Sequence, residues 1–181
     1  HVGRMSHSTL LPEGAAPVSS SAQPSNAMTF TRNGFEPVSP ARALRDEEIP
    51  ALIEDYRKAA RNAIDAGFDG VEIHSANGYL LDQFLRDGTN QRTDNYGGSI
   101  ENRARLLMEV TKAVVNAIGS DKVGLRLSPV NPFNDMKDSH PQAVFNYVTE
   151  QLNQFNLAYL HVVEGGIQGG GVADPFDFEA M

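Results

Sequence analysis

A chain of 181 residues, 40% of them hydrophobic, can bury one core and form one domain, read here as residues 1–181. Its formal net charge of −8, without any run of Lys or Arg, argues against a phosphate-backbone binder, so nucleic acid is not an expected partner. The absence of cysteine excludes disulfides, thiolate metal sites and cysteine nucleophiles; no apolar run has membrane-spanning length and the opening residues show no signal-peptide pattern, which makes the cytoplasm the expected address.

The opening HVGRMSHS reads at His1 to Arg4 as the end of a strand, as if the chain began inside a domain. Residues Ser6 to Pro40 are rich in Ser, Pro, Ala and Gly without apolar periodicity and read as one long loop (6–40), either a binding loop or lid or a plain tether. A helix follows, with Asp46 as candidate N-cap, Glu47 and Glu48 in its first turn and Pro50 early enough to be tolerated. Ile49, Leu52, Ile53, Tyr56, Ala60, Ala63 and Ile64 keep helical spacing until Gly67 closes it.

The stretch VEIHSANGYLLDQFL, Val71 to Leu85, starts as a strand and then places an imidazole, an amide and a phenol within six residues: His74, Asn77 and Tyr79. Alternation puts Val71 and Ile73 on one face and Glu72 and His74 on the other. The polar face must be wet, paired or occupied by a ligand, because burying a carboxylate or imidazole without partners is costly. Arg86 to Ser99 is a polar, glycine-bearing loop, after which Ser99 can cap a helix whose stripe is Ile100, Leu107, Val110, Val114, Ala117 and Ile118, ended by Gly119.

A second strand, Lys122 to Ser128, again segregates its faces: Val123, Leu125 and Leu127 against Gly124, Arg126 and Ser128. Pro141 opens a helix carrying Val144, Val148, Leu152 and Phe155, and a third clear strand spans Leu157 to Glu164. The glycine run in GGIQGGGVADPFDF could offer backbone N–H groups to an anion or be a plain flexible loop; no P-loop pattern follows it. The alternation of strands and helices implies an α/β fold with parallel strands and right-handed crossovers. Long loops follow strands and short ones follow helices, which favours a (β/α)8 barrel with its site at the strand C-terminal ends over an open doubly wound sheet. A complete barrel takes ~250 residues, so this chain supplies roughly half of one.

The residues themselves leave alternatives open. His74 could be a hydrogen-bonded core histidine, Tyr79 could wedge its loop onto the following helix, and Arg126 could pair with Glu72 across neighbouring strands. His161 has undetermined parity and receives no role; His7 and His140 lie in loops. No histidine has a second suitably spaced ligand, so no metal site is expected.

HVGRMSH, AGFDGVEIHSANGYLLDQFL, DGTNQRTDNYGGSIENRARLLMEV, VGLRLSP and LAYLHVVEGG, in this order over nearly the whole chain, resemble the old yellow enzyme family of FMN-dependent ene-reductases. The resemblance is to the branch with N-ethylmaleimide, glycerol trinitrate and oxophytodienoate reductases. It implies a partial (β/α)8 TIM barrel, about strands 3 to 6 with the intervening helices, FMN as cofactor and NAD(P)H as reductant. The substrates it implies are activated alkenes such as enones and maleimides, with nitro compounds or nitrate esters also in range. By position, His74 and Asn77 match the pair that hydrogen-bonds the substrate's carbonyl or nitro oxygen, Tyr79 matches the proton donor, and Arg126 matches the arginine against the pyrimidine edge of the flavin.

The chemistry asks for the same residue types. Negative charge that develops on an activating oxygen is stabilised by two neutral N–H donors, and a phenol can hold its proton at neutral pH yet give it to an enolate-like carbon. A fixed guanidinium stabilises the reduced flavin's negative charge. The family's first two strands, its last two, whose loops hold the FMN phosphate, and a glutamine expected just before His1 fall outside this sequence. A half barrel exposes two sheet edges, so self-association or pairing with missing barrel halves is expected. The alternative function is a catalytically silent half-barrel or assembly module that binds no flavin alone; a further one is a lyase or isomerase that uses Tyr79 and His74 as acid and base without a cofactor.

Overall fold

A computed structural model of the chain describes residues 1–165 and 176–181. In chain order the elements are β1 (Val18–Ser19), β2 (Met28–Thr31), β3 (Gly34–Pro37), β4 (Arg42–Ala43), α1 (Ile49–Asp65), β5 (Val71–Ser75), α2 (Leu80–Leu85), α3 (Ile100–Ile118), β6 (Val123–Leu127), α4 (Pro141–Leu152) and β7 (Tyr159–Val162). The organising layer is the parallel sheet β5-β6-β7, in which Glu72 sits beside Gly124 and Tyr159, and His74 beside Arg126 and His161.

Side chains alternate across this sheet, and the sequence alternates with them. Ile73, Leu125 and Leu127 face a core shared with Leu106, Leu107 and Val110 of α3 and Val144, Phe145 and Val148 of α4, all buried. The opposite face carries the polar row of Glu72, His74, Arg126 and His161. α1 packs against α3 and turns into the sheet through Gly67, whose φ of 90° is accessible to glycine at little cost; its N–H donates to the Ile64 carbonyl (2.9 Å). Ser99 caps α3 through its Oγ, which accepts from the Asn102 N–H (3.3 Å), and Gly119 ends it.

Several expectations are corrected. His1 to Arg4 is no strand end: the backbone turns at Gly3 (φ 62°), and the Arg4 N–H donates to Gln83 Oε1 (3.1 Å) instead of to a neighbouring strand. The sheet therefore has three strands where four are expected. Residues 6–40 are not a plain loop, because β2 and β3 form an antiparallel hairpin with Phe30 opposite Phe35, and β1 pairs with β4 in parallel. Asp46 does not cap α1. It opens a 3-10 turn over Asp46–Glu48, where the Glu48 carboxylate accepts from the Arg45 N–H (2.8 Å), while the Asp46 carboxylate goes to Arg92. Phe155 lies beyond α4, in a 3-10 turn closed by Asn156 at φ 49°.

No helix among the described residues is long and apolar enough to cross a membrane. The glycine run from residue 166 onward lies outside the described residues. Phe145 is fully buried in the core, and its ring lies 5.3 Å from the Arg86 guanidinium carbon. Phe145→Ala is expected to cost about 3–5 kcal/mol, read as a lowered urea midpoint; a midpoint equal to that of the unmodified chain would show that α4 contributes nothing to the core.

Candidate active site

The C-terminal end of β5 runs into a turn that the rest of the molecule grips from three sides. Asn77 adopts φ 58° and Gly78 φ 75°, both in the left-handed region, where asparagine and glycine are the best tolerated residues. A Cβ on Gly78 would also lie 2.7 Å from the Asn134 Cβ and from the Met136 Cγ, so the loop after β6 packs directly on its backbone. Below the turn, the fully buried Asp82 of α2 accepts from the Gly78 N–H (2.8 Å) and from Arg86 Nε (2.9 Å). Arg86 in turn donates to the Ser128 carbonyl. Gln83, also fully buried, donates to the Gly78 carbonyl (2.7 Å) and accepts from the Arg4 N–H and from Ser19 Oγ (2.9 Å).

The loop after β6 makes the third grip. Ser128 Oγ accepts from the Asn77 N–H (2.7 Å), Asn134 Nδ2 donates to the Asn77 carbonyl (2.8 Å), and Asn131 Nδ2 donates to Asn77 Oδ1 (2.9 Å). Asn77 is only 5% exposed, and among the described residues its own Nδ2 meets no acceptor. The side-chain amide thus has its oxygen committed and its N–H pair available.

His74 projects from β5 on the polar face, and its ring centroid lies 5.2 Å from that of Tyr79, the residue that leads into α2. Both rings are half-buried. Burial and, next, the neighbouring Arg126 push the His74 pKa below its ordinary 6.5, so the imidazole is neutral near pH 7. Arg126 sits between His74 and His161 in the register, and its Nε is buried with no partner among the described residues. The Arg126–Glu72 pair weighed from the sequence is not formed. Glu72 Oε2 instead lies 3.1 Å from His161 Nδ1. This gives His161 the inward parity that its sequence left undetermined.

The structure therefore brings His74, Tyr79 and Arg126 to one region and places Asn77 at the adjoining turn. Sequence reasoning missed Ser128, Asn131 and Asn134, which hold that turn, and Asp82, Gln83 and Arg86 beneath it. The density of asparagines in SPVNPFND was the available signal, since three amides or hydroxyls within seven residues after a strand invite turn hydrogen bonds. A guanidinium nitrogen left without a partner at the end of a parallel sheet fits an electron-rich ligand edge, as a flavin's pyrimidine ring presents. Among the described residues no cluster of His, Asp and Glu could hold a metal ion.

The chain is similar to known proteins over most of its length. The chain is 49% identical over 172 residues to 12-oxophytodienoate reductase 7 of Oryza sativa subsp. japonica, covering 91% of this chain and 44% of that protein. Its fold matches the crystal structure of the old yellow enzyme homologue from Zymomonas mobilis with a TM-score of 0.92 at 46% identity, over 97% of this chain and 50% of that one. Morphinone reductase in complex with tetrahydroNAD matches with a TM-score of 0.85 at 46% identity, over 90% of this chain and 46% of that one. These solved neighbours are TIM-barrel enzymes, and the chain, a partial α/β fold, spans about half the length of the relatives it matches. The model of the NADH:flavin oxidoreductase / NADH oxidase family matches residues 1–171, and the chain belongs to that family, whose old yellow enzyme members its sequence resembles.

Proposed function

We propose that this chain carries the substrate-side machinery of an FMN-dependent, NAD(P)H-using reductase of activated alkenes, with β5, β6 and β7 as neighbouring strands of an eight-stranded barrel. The observation that carries the reading is the free N–H pair of Asn77 beside a neutral His74 and the Tyr79 phenol, above a guanidinium with an unpartnered nitrogen. When bound, reduced flavin supplies the hydride for the alkene β-carbon. Arg126 would hold the electron-rich edge of that flavin.

The residues of this chain do the rest. His74 and Asn77 bind the carbonyl or nitro oxygen of an enone, maleimide or nitroalkene and orient the alkene. As charge develops on that oxygen, two donors already fixed by the fold strengthen their hydrogen bonds without reorganisation. Tyr79, held at the entrance of α2 against the His74 ring, gives its phenolic proton to the α-carbon.

The alternative reading, a half-barrel module without flavin, is not favoured, since the flavin oxidoreductase family model matches residues 1–171. Gel filtration of the chain with FMN tests the reductase reading. Retained flavin supports it, and a flavin-free peak shows that the residues of this chain do not hold the cofactor by themselves.

In the flavin-loaded protein, Tyr79→Phe is expected to slow alkene reduction by roughly 10²–10⁴-fold while flavin reduction by the nicotinamide proceeds near the unmodified rate. Stopped-flow measurement of the two half-reactions checks this, and equal loss in both removes Tyr79 as proton donor. His74 also makes stability pH-dependent. Its folded-state pKa lies below 6.5, so the stability it contributes is fully present above the unfolded value and declines as pH falls through 6.5 toward the folded one. The drop in urea midpoint between about pH 7.5 and about pH 5.5 should be smaller in His74→Asn, in which nothing titrates at this position. An identical drop would show that His74 does not titrate below its unfolded value.

A further inference from the structure

The side-chain amide of Asn77 has two ends of nearly equal shape and opposite hydrogen-bond sense. Its function as a donor depends on which end faces the ligand, and its position on the turn does not decide that. We propose that Asn131 decides it, acting as the positioning residue that turns the Asn77 N–H pair toward the substrate oxygen. The inference rests on the reading of Asn77 as a donor given above and adds the residue that fixes its orientation.

Asn131 suits this role because its own orientation is settled by the backbone. Its Oδ1 accepts from the Phe133 N–H (3.1 Å), a turn bond that requires the oxygen at that end. Its Nδ2 is then the group facing Asn77 and can only donate, to Asn77 Oδ1 at 2.9 Å. Both residues are nearly sealed from water, Asn131 at 1% and Asn77 at 5% exposure, so a reversed Asn77 amide would set two N–H groups against each other in a buried place. The cost of leaving buried donors unsatisfied holds the orientation. Ser128 and Asn134 fix the Asn77 backbone at its N–H and its carbonyl, so the remaining freedom is rotation of the amide itself. Asn131 therefore passes one piece of information, the direction of a backbone N–H in the loop after β6, to the ligand side of the turn after β5.

Asn131→Asp is the reversing test, since it keeps the acceptor for the Phe133 N–H and nearly the same shape but replaces a donor by an acceptor. In proton–nitrogen spectra of this chain, which need no cofactor, the Asn77 side-chain amide, which meets no acceptor among the described residues, should exchange faster in the unmodified protein than in Asn131→Asp. It should become protected in Asn131→Asp, where it would turn to the new carboxylate; its signal is identified by its disappearance in Asn77→Ala. Unaltered Asn77 amide exchange in Asn131→Asp overturns the proposal.

Calorimetric binding of a non-reducible cyclic ketone to the oxidised, flavin-loaded protein reads the consequence. Asn77→Ala and Asn131→Asp should each weaken it, by roughly tenfold. Asn131→Ala, which removes the bias without reversing it, should give a smaller loss. A loss in Asn131→Ala as large as that in Asn131→Asp is what a merely structural role produces and overturns the orientation role. Full ketone affinity in Asn77→Ala, together with the expected spectra, would overturn the donor reading of Asn77 while leaving the orienting contact in place.

Discussion

The site depends on a single buried ion pair, Asp82 with Arg86, whose side chains are 0% and 3% exposed. One oxygen of Asp82 holds the Gly78 N–H and the other holds Arg86 Nε, while Arg86 reaches the Ser128 carbonyl at the end of the neighbouring strand. A charge pair in such a place contributes little net stability, because desolvation offsets most of the attraction, but removing one partner leaves the other buried and uncompensated. The pair therefore acts as a constraint on geometry more than as a source of folding energy. It ties the turn after β5, the helix α2 and the end of β6 into one unit, and every candidate site residue belongs to that unit or borders it.

The polar row on the sheet follows from the same economy of contacts. Parallel pairing puts Glu72, Gly124 and Tyr159 in one rank and His74, Arg126 and His161 in the next. The first rank has no side chain at Gly124, and the Tyr159 ring lies over it, while His161 of the second rank meets Glu72. Because Glu72 meets His161 at 3.1 Å, its charge is engaged away from Arg126, whose Nε stays unpartnered. A Cβ on Gly124 would collide with the Tyr159 ring, so the glycine is what lets that ring lie against the strand.

How much of this was legible in the sequence divides along the range of the interactions. The span of α1 up to Gly67, the cap of α3 at Ser99 and the two-faced strands β5 and β6 were readable because each is decided within a few residues. The hairpin β2–β3 was hidden by a composition typical of loops, although Asn33-Gly34 flanked by Phe30 and Phe35 carried a hairpin signal. Asp46 has the local character of an N-cap, and Arg92, distant in sequence, claims it instead. His74, Asn77 and Tyr79 could be picked out because they crowd one stretch. Asn131 and Asn134 could not, since their partners lie across two strands and only the folded sheet brings the loops together.

The direction of the His74 shift connects the row to the reaction proposed above. Burial and the adjacent Arg126 both disfavour an imidazolium, so the fixed positive charge stays on Arg126 and His74 remains a neutral donor. An imidazolium would attract a substrate oxygen strongly before any charge develops on it, which lowers the energy of the ground state together with that of the transition state. A neutral imidazole and a neutral amide bind a carbonyl modestly and gain most as the oxygen becomes anionic. Arg126 thus has two roles in this reading, presenting a cation to the cofactor edge and keeping its neighbour uncharged. The second is visible without any ligand, in the ranks of the sheet alone.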